Sequence, residues 1–429
     1  MSTPDAISRR SSTPTTGLGA MGVTPLPAVL TLVFTCSMGT GVLNSGVFFL
    51  AKSRYGFDAA ANFALAVMFA VLYIPSAAFI GPILRRMVER LPWLTTRAVL
   101  ATILVMILLL TLAPIAADQF PAWNTWPSWP IWITVAGYAV LTGNLWPLVE
   151  SYTSGGRKGE RLRTAIGRFN MTWAAALVII FWAMAPLVEV RPLVVIAGVG
   201  AVHLLSLILL SWFPRDPAAH ASEHHEPHPP VYARLLNVSQ VLLPMSYLVI
   251  GAVQPLLPRL CEHAGVPAAW QTPLASLWLI ARLVTFAVME RWHAWHGRWW
   301  TPAAGAFLLI VGAGTAVASA LLPAGSTGAL GLGAGLVLLG VGAGMIYAVA
   351  LYYAMEVGQS QVDAGGRHEA LIGVGYLVGP VIGLSLTQVV AVGRLTSEQF
   401  EPTLLSVVVV ISVGVTVIGF GRAVRTQPN

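Results

Sequence analysis

Charge is what this sequence has least of. Only 10% of its 429 residues are Asp, Glu, Lys or Arg, whereas an ordinary soluble domain carries about 25%. So few charges cannot cover a water-facing surface of this size, and 56% of the residues are apolar, with a mean hydropathy of +0.75. Most of the surface must therefore face lipid. Cysteine is scarce as well. Cys36 and Cys261 lie far apart and Cys36 falls inside an apolar run, which excludes a disulfide framework. Two catalytic signatures are also missing. The chain has no G-x-x-x-x-G-K-[ST] loop to cradle a nucleotide, and no D-D-x-x-D or D-x-D stretch to hold metal-bound phosphates. None of the 17 acidic residues lies near the middle of an apolar run. Neither an ATP-driven pump nor a membrane enzyme is expected, and no cofactor or metal is called for.

What the chain does have is apolar runs of about 20 residues, long enough to cross a bilayer as helices. Twelve are expected, near 26–51, 58–84, 98–116, 130–150, 167–188, 192–212, 237–258, 272–289, 302–322, 330–355, 369–392 and 403–421. The runs are continuous and not alternating, which excludes a closed β-barrel. The fold class is thus an all-α integral membrane protein. The net charge of +7 resides in the short loops between runs, where anionic lipid headgroups are the natural partner and nucleic acid is not. With the N-terminus inside, Arg85, Arg86, Arg90, Arg97, Arg157, Arg163, Arg298 and Arg367 are among 18 basic residues on the inner side. Lys52, Arg54, Arg191, Arg259 and Arg394 are the five outside. That bias places both termini in the cytoplasm of a cell's inner membrane.

The domain reading follows from the polar interruptions. Residues 1–25 form a disordered tail, 26–212 a first half of six helices, 213–236 a His/Pro-rich linker, 237–421 a second half, and 422–429 a short tail. The Arg9-Arg10 pair is followed by Ser-Ser-Thr-Pro and not by an apolar export segment. Within the linker, His220-Ala-Ser-Glu223-His224 fits H-x-x-E-H, a zinc-protease pattern. That chemistry needs both histidines on one packed helix, and Pro214, Pro217, Pro227, Pro229 and Pro230 surround them, so a solvated linker is expected. The halves echo each other. Gly41-Val-Leu-Asn44 in the first span matches Gly251-Ala-Val-Gln254 in the seventh. Glu150 before Gly167-Arg168-Phe169-Asn170 matches Glu356 before Gly366-Arg367-His368-Glu369.

The stretch Gly81-Pro-Ile-Leu-Arg85-Arg86-Met-Val-Glu89-Arg90 between the second and third spans resembles the G-x-x-x-D-R-x-G-R-[RK] loop of the major facilitator superfamily. Arg85 stands for its Asp and Val88 for its second Gly. Glu290-Arg291 with Gly297-Arg298 occupies the matching place in the second half. Gly375-Tyr-Leu-Val-Gly379-Pro380-Val-Ile-Gly383 is similar to the family's antiporter signature, displaced from the fifth span to the eleventh. The resemblance implies two pseudo-symmetric six-helix halves with the first, fourth, seventh and tenth spans lining a central cavity. It implies a secondary transporter working by alternating access on a small organic solute, as a monomer. A multidrug antiporter, or a transporter-like receptor without flux, is the alternative.

Polar residues in those spans then become the candidate substrate contacts: Asn44, Asn144, Gln254, Tyr347 and Tyr353. An amide or phenol in hydrocarbon must find a partner or face water, although hydrogen bonding between helices would serve equally. Tyr352 adjoins Tyr353, so at most one faces the cavity. Gly-rich span ten (Gly331, Gly333, Gly335, Gly340, Gly342 and Gly344) reads as close packing or a bendable gate. Arg282 is the outlier, a charge inside the eighth span at an insertion cost of about 2.5–3.5 kcal/mol. It either attracts an anionic group of the substrate or ties to Glu290 or Glu356. Glu150, Glu356 and Glu369, with Arg168, Arg367 or Arg282 as ion-pair partners, are the candidates for gating or proton coupling. A carboxyl whose burial alternates changes its proton affinity. Glu369 is also expected to open its helix, where the dipole favours a carboxylate.

Overall fold

The computed structural model describes residues 22–91, 93–120, 127–157, 159–218, 229–357 and 361–425. The histidine run from His220 to His228, the first 21 residues and the last four lie outside them, as does the Glu356 side chain. Twelve helices are long and apolar enough to cross a bilayer. They are α1 (Leu26–Tyr55), α2 (Ala59–Arg90), α3 (Thr96–Gln119), α4 (Trp129–Ser154), α5 (Glu160–Met184), α6 (Pro192–Trp212), α7 (Pro230–His263), α8 (Ala268–Arg291), α9 (Trp300–Leu321), α10 (Ser326–Ala354), α11 (Gly365–Ala391) and α12 (Ser397–Arg422). Each expected span is a helix, and the described residues contain no strand. An even count brings both chain ends to one side, here the terminal side, with the distal side opposite.

Most helices run past the apolar stretch that marks them. Apolarity measures the hydrocarbon thickness, but the backbone keeps its hydrogen bonds by continuing as helix into the headgroup layer. The second half accordingly starts at Pro230 and not at 237, with proline at the first helical position, where it forfeits no hydrogen bond. The linker is also less free than expected. Asp216 accepts hydrogen bonds from Thr96 N (2.8 Å) and Oγ1 (2.7 Å), and Arg97 Nη1 reaches Phe213 O at 2.9 Å. Its first residues are thus pinned beneath the start of α3.

Small residues set how closely the helices approach. A Cβ on Gly342 would stand 2.6 Å from the Gly305 carbonyl oxygen, and one on Gly335 would meet the Ala316 backbone. α9 and α10 therefore pack backbone to backbone, the usual role of small residues where lipid provides no hydrophobic drive. The two halves meet along α11 against α2 and α4, and along α8 against α5. α7 is the most enclosed helix, with 89% of its apolar window buried against 22% in α12, which faces outward.

Candidate functional site

Span one does not continue as a regular helix. Residues Gly41–Gly46 widen into a π-helical turn, a feature frequent at functional sites. It carries Asn44, whose Nδ2 donates to Tyr376 Oη of α11 at 3.5 Å. The next residue, Ser45, accepts from Gln254 Nε2 at 3.1 Å. Gln254 itself sits where α7 tightens into a 3₁₀ turn, Gln254–Leu256. The two matched sequence patterns therefore meet at the boundary between the halves, with Asn62 Nδ2 donating to Pro255 O at 3.3 Å beside them. Further out on the distal side, Lys52 of α1 forms an ion pair with Glu262 of α7.

Below this seam lies a central cavity of about 40 Å³. Thr40, Asn44, Thr142 and Glu369 supply its polar wall. The rest is largely aromatic, with Tyr73, Tyr138, Trp146, Trp173, Tyr247, Tyr347 and Tyr376 drawn from both halves. A volume of this size holds a water or two and no organic solute. On the terminal side α11 closes the floor. A Cβ on Gly366 would lie 2.6 Å from the Ala77 carbonyl oxygen, and Gly365 leaves room only for the Glu150 carboxyl.

Glu150 and Glu369, from opposite halves, are buried with their carboxyl groups within hydrogen-bond reach of each other. Tyr73 Oη of α2 donates to Glu369 Oε2. The expected ion pairs with arginine are not formed among the described residues, and Arg168 and Arg367 are exposed. Nor does Glu369 open its helix, since the helix that contains the α11 span already begins at Gln361, two turns earlier, so the dipole has no part in holding it.

Arg282 is 1% exposed. Its guanidinium carbon lies 4.7 Å from the Trp173 ring of α5 and 4.5 Å from the Tyr347 ring of α10, with Phe286 at 5.4 Å and Tyr247 at 5.7 Å. Nη2 donates to Tyr247 Oη at 3.0 Å, whereas Nε and Nη1 are buried without a hydrogen-bond partner. The expected tie to Glu290 is not made. Glu290 is eight residues further along the same helix and turned toward Gly167, with its Cδ 3.2 Å from where a Cβ on that glycine would be. Among the described residues Arg282 forms no ion pair. Four rings surround the guanidinium, and one of them, Tyr247, also accepts its hydrogen bond.

The remaining candidates are elsewhere. Asn144 folds back to Val140 O at 2.7 Å on its own helix and lines none of the described cavities. Tyr353 accepts from Gly297 N at 2.8 Å in a separate aromatic cluster with Tyr232 and Trp295 at the terminal end. Tyr73, Trp173, Tyr247, His368 and Tyr376 belong to the site and did not stand out in the sequence. His368 is 6% exposed, its Nε2 lacks a partner, and its ring stands edge-on to Tyr347 at 5.4 Å. A spacing signal existed. Tyr247 precedes Gln254 by seven residues and Tyr376 follows Glu369 by seven, two helical turns that put each pair on one face.

No family model matches the chain, and no curated protein matches it. Solved structures do. A variant of the nucleoside transporter NupG superposes with a TM-score of 0.65 at 12% identity, covering 92% of this chain and 99% of that one. A bacterial homologue of the human lysosomal transporter Spinster, inward-facing and unoccupied, gives 0.63 at 14% identity, covering 94% and 98%. Its occupied form gives 0.56 at 16% identity, covering 94% and 96%. The chain has the major facilitator fold. It is a multi-pass membrane protein of two six-helix halves, and its aromatic cavity lies at the interface where that fold brings the halves together.

Proposed function

We propose that this chain is a secondary transporter that moves a small organic acid by alternating access, coupled to the proton, with its terminal side in the cytoplasm. The observation that carries the acid is Arg282. A buried guanidinium with two unsatisfied nitrogens is expensive. Cation–π contacts of up to about 2 kcal/mol each when desolvated offset only part of that cost. A substrate carboxylate would satisfy the free N–H groups and draw the side chain off its rings. Proton coupling rests on Glu150 and Glu369, two facing carboxyls from opposite halves that must part when the terminal side opens. Water then reaches both, and their proton affinity changes with exposure.

A second reading has its own support. The charged residue that lines the cavity is Glu369, with Arg282 behind the rings of Trp173 and Tyr347. Stacked tyrosines also suit a neutral planar solute such as the nucleosides that NupG is named for. One experiment separates the two. Purified protein in proteoliposomes is challenged with aromatic acids, nucleosides and aromatic amines. In the first reading acids are taken up, and Arg282→Ala lowers their flux by at least about 100-fold with the melting temperature little changed. Arg282→Lys recovers little of it, because an ammonium lacks the planar fork. Flux of nucleosides that survives Arg282→Ala would select the second reading.

A further inference from the structure

The largest described cavity is not the central one. A vestibule of about 240 Å³ opens on the terminal side between α5 of the first half and α8 and α10 of the second. Its size falls just below the range of about 300–1,000 Å³ that takes drug-sized ligands, which limits an occupant to a single ring. One wall is aromatic. His296 stacks on Tyr352 with centroids 4.4 Å apart and planes at 16°, and Trp295 stands edge-on to both at 4.3 and 5.2 Å. Facing it are two polar groups without partners among the described residues. Asn170 is 6% exposed and presents its amide to the cavity, and the half-buried Glu290 makes neither an ion pair nor a side-chain hydrogen bond.

We infer that this vestibule binds a small aromatic organic cation, whose ammonium lies against Glu290 and the Asn170 carbonyl while its ring packs on the Trp295–His296–Tyr352 wall. Aromatic rings pack on one another in stacked or edge-on pairs, and a partly buried carboxylate without a counter-ion is the complementary charge for the ammonium. The other titratable groups at the site are Glu160, Arg163 and His293, all exposed and at the rim. Arg163 has the wrong sign, but solvent screens it more than it screens Glu290. His296 strengthens the assignment. Burial, with help from His293 and Arg163, pushes its pKa down to about 4. The wall therefore stays neutral and does not repel a cation above about pH 5. As pH falls toward 4 the imidazole gains a proton, and the wall then repels the cation. The site takes its ligand whether or not the central cavity carries an acid, since the two cavities have no lining residue in common.

Full-length protein in nanodiscs is titrated with phenyltrimethylammonium by calorimetry, with benzoate and benzyl alcohol as charge controls. The cation is expected to bind with constant affinity from pH 8 to pH 5.5, and both controls at least about tenfold more weakly. Glu290→Gln should weaken the cation about tenfold and Asn170→Val severalfold, each with the melting temperature of the parent. Arg282→Ala and Glu369→Gln should change it less than twofold. Benzoate binding as tightly as the cation, or wild-type affinity in Glu290→Gln, overturns the assignment. So does loss of binding in Glu369→Gln, which would move the cation to the central cavity.

Discussion

At the scale of single residues, buried polar groups are what motivate the proposed roles. Arg282, Glu150, Glu369 and His368 are all nearly inaccessible, yet each is polar in a molecule with few charges to spare. Structural roles alone would not preserve such costs, because apolar residues of similar size pack as well. Glu369 makes the sharper case of the two carboxyls, since the Tyr73 hydroxyl from the other half donates to it. Glu369→Gln keeps an acceptor for that bond but cannot carry a proton. Concentrative uptake in this variant should lose its pH dependence, while exchange of solute across the membrane, which needs no net proton movement, should persist within about threefold of the parent. Uptake that still follows pH in both Glu369→Gln and Glu150→Gln would remove the pair from coupling.

At the scale of helices, the motif in α11 divides its work between two neighbours. Gly375 and Gly379 face the α7 backbone in the same half. A Cβ on Gly379 would lie 2.7 Å from Ala252 N, and one on Gly375 would lie 2.8 Å from Leu248 N. Gly383, one turn on, faces the Phe63 ring of α2 in the other half, with a Cβ 2.6 Å from its Cδ1. Overpacking costs about 1–3 kcal/mol, but the two positions should fail differently. Gly379→Val pushes α11 off α7 and should lower expression and melting temperature together. Gly383→Ala presses on a side chain across the interface between the halves, so if the halves rock as proposed, folding should survive while flux falls. Equal losses of stability in both variants would mean that the motif only packs helices. The glycines of α10 also pack helices closely, Gly335 and Gly342 against α9 and Gly340 and Gly344 against α8.

At the scale of the whole molecule, modest contacts join the halves on the distal side, namely Gln254 to Ser45, Asn62 to Pro255 and the Lys52–Glu262 ion pair. The ion pair is part-exposed, at 30% and 53%. An exposed pair is worth about 0–1 kcal/mol, so it can bias the halves without locking them. Glu262→Gln should raise the population open on the distal side up to about fivefold. A single cysteine at Ser45, with Cys36 and Cys261 replaced, reports this through its labelling rate by an impermeant maleimide. The gain should vanish in 1 M salt, where the Debye length is about 3 Å. An unchanged rate at low salt would show that the pair does not restrain opening.

Composition and the spacing of apolar runs were enough to establish a twelve-helix membrane protein in two halves. Hydrophobicity over about 20 residues is a local property, and lipid leaves the backbone no alternative to helix. The same local logic picked out Arg282, Glu150, Glu369, Asn44 and Gln254, because a polar group in hydrocarbon is conspicuous wherever it points. It did not predict their partners. The tie expected between Arg282 and Glu290 and the arginine partners expected for the glutamates gave way to rings, a tyrosine hydroxyl and a facing carboxyl. Asn144 and Tyr353 turned to local hydrogen bonds. Tyrosine and tryptophan carry no local sign of this kind, being at home both in hydrocarbon and in a binding site. Only the packing of α11 against α2 and α4, and of α8 against α5, decided which rings surround Arg282 and which two acids share one pocket. Those contacts join residues up to several hundred positions apart, and no spacing along the chain encodes them.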